Sequence, residues 1–302
     1  MMKKFITYLK DKKEKRAAAQ IRKFTRSKFG NFMFFFFIFL FGLFSVLPLA
    51  YSIVTSFKPL DELMLFPPSL ITVRRPTVEN YVALPSLVES LDVPFIIYFF
   101  NSIFTTVVGT VLHIFAASAA AFVLSRSNFK GKNTIFLIIQ LSLLFNAYTL
   151  SIPRYLIYSK MGIIDTYWAY ILPAIPSSMG VFLMKQYMDG YVPQTLIEAA
   201  RIDGAGWTHT FYSIVLPCVK PCLLTLVLFS FRDMWSIVPA GTIFTETLKT
   251  LPMVMSTVVS GGLARTGSAM ATSVLMMIPP IIVYFISQGS LKESMSSAGI
   301  KG

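Results

Sequence analysis

The sequence predicts an all-α integral membrane protein with six transmembrane helices and both termini in the cytoplasm. Three observations predict it. The 302-residue chain is 55% hydrophobic and only 14% charged, where a soluble domain carries about a quarter charged residues. Several stretches reach the roughly 20 apolar residues that a helix needs to cross a hydrocarbon core. The basic residues gather where the positive-inside rule puts cytoplasm.

The elements follow in order. Residues 1–30 form a basic tail holding eleven of the 27 Lys and Arg, against Asp11 and Glu14. A six-helix domain over 31–290 has spans at about 31–57, 95–125, 133–157, 166–187, 213–238 and 266–289. The first is charge-free and Phe-rich, too long for a signal peptide's apolar region and without a small-residue cleavage site, so it reads as a retained helix. The second is charge-free apart from His113. The fifth is the weakest, with Lys220 near its start and Arg232-Asp233 near its end, where side chains reach the interface. The sixth spans despite Pro279-Pro280. Leu251 to Leu263 is too short to cross and reads as an outer loop or re-entrant piece. Residues 291–302 form a cytoplasmic tail.

The loops fit this orientation. Arg126 to Lys132 is basic, whereas Lys58 to Pro94 carries Asp61, Glu62, Glu79, Glu89 and Asp92 against three bases. The net charge of +13 is read as topology and attraction to anionic lipid, with no nucleic-acid partner. Cys218 and Cys222 lack a His partner nearby and read as packing residues.

Several chemistries are excluded. There is no phosphate-binding G-x-x-x-x-G-K-[ST] loop and no H-E-x-x-H, and His113 and His209 are the only histidines. No catalytic residue, metal or cofactor is therefore assigned to the chain. A membrane-embedded enzyme would need ionisable groups converging within the spans, and beyond His113 and the end-located Arg154 and Arg232-Asp233 these are lacking.

The cytoplasmic segment 190–212 carries the most information. Pro193 suits a first helical position, Thr195 to Arg201 favour helix, and Gly204 and Gly206 suit a stop and turn. Small Ala199, Ala200 and Gly204 permit close approach, and Glu198, Arg201 and Asp203 offer charges. These features fit a docking helix or a solvated loop.

Glu198-Ala199-Ala200, Gly204 four residues further, and then Ile214, Leu216 and Pro217 resemble the EAA signature of bacterial ABC importer permeases. "EAARIDGAGWTHTFYSIVLPCVKP" and the ending "SSAGIKG" are similar to the carbohydrate importer permeases of the maltose-system type, the MalG-like member of the pair, and the likeness extends over nearly the whole chain. The resemblance implies a type I importer permease fold, a second, MalF-like permease subunit, two ATPase subunits that hold ATP and Mg, and an outside sugar-binding protein. It implies that Glu198, Ala199, Ala200, Asp203 and Gly204 face the ATPase, and that Ala298, Gly299, Lys301 and Gly302 contact it. The outer loop from Ala240 to Arg265, with Gly261-Gly262, is implied to touch the binding protein. A permease for another polar solute, such as peptides, is the alternative.

Substrate residues are harder to read. Trp235 resembles a family position, but Ser236 and the preceding Arg232-Asp233 depart from the family pattern. Arg232 is read either as lining a path for acidic or strongly polar saccharides or as an interfacial anchor. Asn146 and Tyr148 are candidate path residues, while Asn101, His113 and Gln140 are polar positions suited to bonding between helices.

Overall fold

The computed structural model describes residues 28–66, 69–89, 93–145, 149–239, 241–259, 262 and 265–298. Every regular element among them is helical. The main helices are α1 (Lys28–Ser56), α2 (Phe95–Arg126), α3 (Lys132–Ser142), α4 (Ser151–Met161), α5 (Ser178–Tyr191), α6 (Gln194–Ile202), α7 (Lys220–Trp235), α8 (Leu251–Val259) and α9 (Thr266–Ala298). The chain divides into two compact units between Ile53 and Val54.

The first unit holds most of α1. This helix is apolar on every side, the pattern of a helix solvated by lipid, and its Phe34 to Phe41 run is exposed. Pro48 cannot donate to the carbonyl one turn back. Serines flank the defect: Ser45 Oγ donates to the Phe41 carbonyl and Ser52 Oγ to the Pro48 carbonyl, each at 2.9 Å.

The second unit is built around α2. One side of α2 buries Ser102, Thr105, Thr106, Gly109, Thr110, His113, Ala117 and Ala121, a small and polar stripe that lets other helices approach closely. α5 and α7 pack on α2, and α9 packs on α7. At Gly109 an added Cβ would lie 2.4 Å from Met234 Cε of α7, and at Gly180 of α5 it would lie 2.7 Å from His113 Nε2.

Three described helices are long and apolar enough to cross a membrane: Phe29–Ser56, Phe95–Arg126 and Thr266–Gly289. The other expected spans consist of shorter pieces. The third is divided between α3 and α4, each of 11 residues, and about 17 Å of helix does not cross alone. The fourth is interrupted by Pro173 and Pro176. It runs as Trp168–Ile171, a 3₁₀ turn over Leu172–Ala174, and then α5, whose N-cap Ser177 accepts from Gly180 N at 3.2 Å. The fifth bends by 82° between Trp207–Cys218 and α7, at Val219 between Pro217 and Pro221. The run expected as an outer loop or re-entrant piece holds a nine-residue helix, α8, packed on α2 and α9.

The broken backbone is repaired by side chains, many of them from α2. His113 Nδ1–H donates to the Ala174 carbonyl at 2.9 Å, where the fourth span breaks. Asn101 Nδ2 donates to the carbonyls of Thr247 and Lys249 at 2.8 and 2.9 Å, and its Oδ1 accepts from the Tyr167 hydroxyl at 2.8 Å. In α9, Pro280 removes the donor that would reach Met276, and Trp235 Nε1–H takes its place at 2.9 Å. Cys218 is exposed, whereas Cys222 is buried within the apolar core.

Trp235→Phe keeps an aromatic ring between Phe99 and Phe231 but leaves the Met276 carbonyl unpaired. The expected cost is about 1–3 kcal/mol, read as a lower thermal unfolding midpoint of the detergent-solubilised chain. An unshifted midpoint would contradict the assignment.

Candidate functional site

The segment over 190–212, expected on the cytoplasmic side, starts where α5 ends. Val192 caps α5, and Arg126, the last residue of α2, donates through its guanidinium to the carbonyls of Met188 and Val192. These carbonyls lie in the last turn of α5, where carbonyls run out of helical partners and cations are favoured. One side chain thus ties the end of α2 to the point where the chain enters α6. Pro193 occupies the N-cap of α6, one residue before the first helical position expected of it.

α6 is amphipathic. Ile197 and Ala200, three apart, are 2% and 6% exposed, and Ile197 joins Phe122, Met188, Val192, Phe211, Val215 and Val219 in one apolar core. Gln194, Thr195, Glu198, Ala199, Arg201 and Ile202 are exposed. Ile202 is 87% exposed, an apolar side chain presented next to the charges.

The helix stops through a paired backbone motif. Ala205 N donates to the Ala200 carbonyl at 2.9 Å and Gly204 N to the Arg201 carbonyl at 3.0 Å, with Gly204 left-handed at φ +80°. This pairing requires a residue that tolerates positive φ, and glycine does so without strain. Trp207 then packs edge-on against Phe122 at 5.7 Å and lies beneath the Arg201 guanidinium at 3.9 Å. Phe211 lies 5.2 Å from Phe122. The turn is clamped to α2 on one side and leads into Trp207–Cys218 on the other.

Of the residues singled out in the sequence, Glu198, Ala199, Asp203 and Gly204 are exposed together at this turn. Ala200 lies on the buried side and lines a cleft of about 430 Å³ with Asp203, Gly204, Ala205, Gly206, His209 and Ile214. Ile214 and Leu216 are half-buried and Pro217 is exposed. Ala298 ends α9, while Gly299, Lys301, Gly302, Asn146 and Tyr148 lie outside the described residues.

The other substrate-path candidates separate. Trp235 is 2% exposed and held within the α2, α7 and α9 packing. Arg232 and Asp233 are both exposed, and among the described residues they form no ion pair. Sequence reasoning missed Arg126, Phe122 and Trp207. Arg126 is legible as a basic residue closing an apolar span, but its acceptors 62 and 66 residues away are set by the fold.

The loop between α7 and α8 is anchored in detail. Asp165, at φ 58°, accepts from the backbone N–H groups of Phe244 and Thr245 at 2.8 Å and from the Thr245 hydroxyl. Its own N–H donates to the Thr242 carbonyl at 2.8 Å. The Thr245 hydroxyl, followed by the two backbone donors, holds the Asp165 carboxyl below its usual range. Glu246 accepts from Tyr98 at 3.1 Å and pairs with Lys249 at 2.5 Å. Gly262 is left-handed at φ +72°, whereas Gly261 lies outside the described residues.

The fold is that of an ABC importer permease. It superposes on a solved bacterial ABC transporter involved in the import of the acidic polysaccharide alginate with a TM-score of 0.73 at 22% identity, covering 88% of this chain and 99% of that one. The sequence comparisons agree. The chain is 29% identical over 267 residues to the inner membrane ABC transporter permease protein YcjP of Escherichia coli (strain K12), covering 87% of this chain and 94% of the relative. It is 28% identical over 266 residues to the arabinooligosaccharides transport system permease protein AraQ of Halalkalibacterium halodurans, covering 85% and 92%. It is 27% identical over 296 residues to the polygalacturonan/rhamnogalacturonan transport system permease protein YtcP of Bacillus subtilis (strain 168), covering 92% and 100%. No family model matches the chain. The chain is a homologue of carbohydrate ABC importer permeases, as its EAA-like segment led us to expect.

Two outcomes test this geometry. Gly204→Ala forces a side chain into left-handed backbone at about 1–2 kcal/mol, so amide exchange over 199–205 should accelerate; unchanged exchange would contradict the clamped turn. Because the folded Asp165 carboxyl is depressed, its stabilisation is present above the unfolded-state value and is lost as pH falls through the folded one. The unfolding midpoint of Asp165→Asn should therefore lie below wild type at neutral pH, and the gap should close in acid. A gap independent of pH would contradict this role.

Proposed function

We propose that the chain is the transmembrane permease subunit of an ATP-driven, binding-protein-dependent importer of oligosaccharides or other carbohydrates. The observation that carries the coupling part is the α6 turn, which presents Glu198, Ala199, Asp203 and Gly204 outward while Ile197 and Ala200 seat it in the core. A helix exposed on one side and fixed on the other passes on a push without yielding, as a rigid-body transmission requires. The carbohydrate part rests on homology to sugar transport permeases.

In this reading two permease subunits, this chain and a MalF-like partner, line the path. Two ATPase subunits hold ATP and Mg and close on them, and the α6 turn carries that motion into the spans. A binding protein delivers the sugar on the outside and touches the loop between α7 and α9. Six crossings put the 1–30 and 291–302 tails in the cytoplasm of a bacterial cell, with Ala298, Gly299, Lys301 and Gly302 meeting the ATPase as well. The third, fourth and fifth crossings are assembled from the broken helices, whose freed backbone is covered by protein.

Glu198 is the contact to test first. The chain is extracted in mild detergent and captured by a tag on the N-terminal tail, with Glu198→Lys beside wild type. The expected result is a second permease and an ATPase with wild type, and at least about tenfold less ATPase with the mutant, since a buried charge pair is replaced by repulsion. An ATPase recovered equally with both moves the essential contact elsewhere, and no ATPase with either contradicts the transport reading.

A further inference from the structure

A second site lies away from the α6 turn. α4, residues 169–173 and the turn after α7 enclose a pocket of about 330 Å³, lined by Arg154, Tyr155 and Tyr158 with Pro173, Pro239 and Thr242 among the opposing residues. Tyr158 is 7% exposed and forms part of the wall. The opposing wall is fixed. Thr242 bonds the Pro239 carbonyl through its hydroxyl at 3.1 Å, and its own carbonyl is held by Asp165 N–H at 2.8 Å.

The charge in this pocket is uncompensated. The Arg154 side chain makes no hydrogen bond or ion pair among the described residues, and α4 contains Lys160 but no acidic residue. The nearby Asp165 carboxylate is engaged by the backbone N–H groups of Phe244 and Thr245 and by the Thr245 hydroxyl. A guanidinium left unpaired in a partly desolvated, aromatic-walled pocket is suited to binding a carboxylate, which it engages through two parallel N–H groups. Tyrosine rings beside it offer flat apolar surface and hydroxyls, the pairing that suits a sugar ring. The volume lies near the lower end of small-molecule pockets, which start at about 300 Å³, and this favours a single ring over a long chain.

We infer that the Arg154–Tyr155–Tyr158 pocket binds a uronic-acid unit of an acidic saccharide, through the sugar carboxylate on Arg154. The inference rests on the carbohydrate reading above and narrows its substrate class. On the proposed topology α4 ends on the outer side, so the pocket would meet the saccharide before translocation.

The test uses the chain co-purified with its partner subunits, without the binding protein, in nanodiscs of zwitterionic lipid. Binding of trigalacturonate is compared with that of its neutral carboxyl-reduced counterpart. Wild type is expected to favour the acidic trisaccharide by about tenfold or more, Arg154→Gln to lose the preference, and Arg154→Lys to keep part of it. Absence of a preference in wild type, or its persistence in Arg154→Gln, would overturn the inference. So would loss of the preference when phosphatidylglycerol is added, which would assign the guanidinium to a lipid headgroup. Uptake of the neutral trisaccharide with the binding protein restored is measured in parallel. Its absence in wild type would count against the carbohydrate reading, leaving the binding comparison to judge the pocket.

Discussion

A backbone carbonyl that loses its helical partner inside a bilayer finds no water to replace it, and each such group costs several kcal/mol unless protein supplies a donor. This chain breaks its helices repeatedly at or near proline, and α2 carries much of the compensation. Asn101 bonds the carbonyls of Thr247 and Lys249, His113 bonds Ala174, and Arg126 bonds Met188 and Val192. Trp235 does the same for Met276, the carbonyl orphaned by Pro280. The polar side chains within the apolar stretches are fasteners of a discontinuous backbone.

The fasteners lie along α2 in the order that the proposed mechanism needs. Near its start, Asn101 holds the loop between α7 and α8; in its middle, His113 holds the break before α5; at its end, Arg126 holds the junction of α5 and α6. A single unbroken helix is thereby bonded to the proposed binding-protein side and to the proposed ATPase side. Small residues at Gly109 and Gly180 bring α7 and α5 against it, with no room for a Cβ at either position without a shift in Met234 or His113. Tight packing of this kind favours discrete rearrangement over gradual deformation.

The sequence made α1, α2 and α9 legible because each contains a long charge-free stretch, and hydropathy registers length and charge directly. It did not make the third, fourth and fifth expected spans legible as broken helices, because a hydropathy window is blind to direction. The prolines at 173, 176, 217 and 221 were visible, but whether a proline kinks a helix or ends it depends on which donors lie nearby. α9 runs through Pro279 and Pro280 as α-helix, whereas the fourth stretch passes Pro173 only as a 3₁₀ turn and breaks at 175–177. At the α6 turn, Gly204 and the exposed Glu198 were legible from residue type and spacing. The burial of Ala200 and the roles of Phe122, Trp207 and Arg126 were not, since each depends on partners far away in the chain.

The proposed transmission depends on Arg126, which bonds the end of α2 to the junction of α5 and α6. Replacing Arg126 with Met keeps a long apolar stem and removes the donors to Met188 and Val192 while leaving Glu198 and the outer face of α6 untouched. The decisive measurement is sugar uptake together with ATP hydrolysis by the reconstituted complex carrying this variant. The ATPase is expected to bind and hydrolyse ATP still while uptake falls by about tenfold or more, the loss expected when charge-assisted hydrogen bonds are removed from a coupling element. Uptake that stays in proportion to ATP hydrolysis would contradict it.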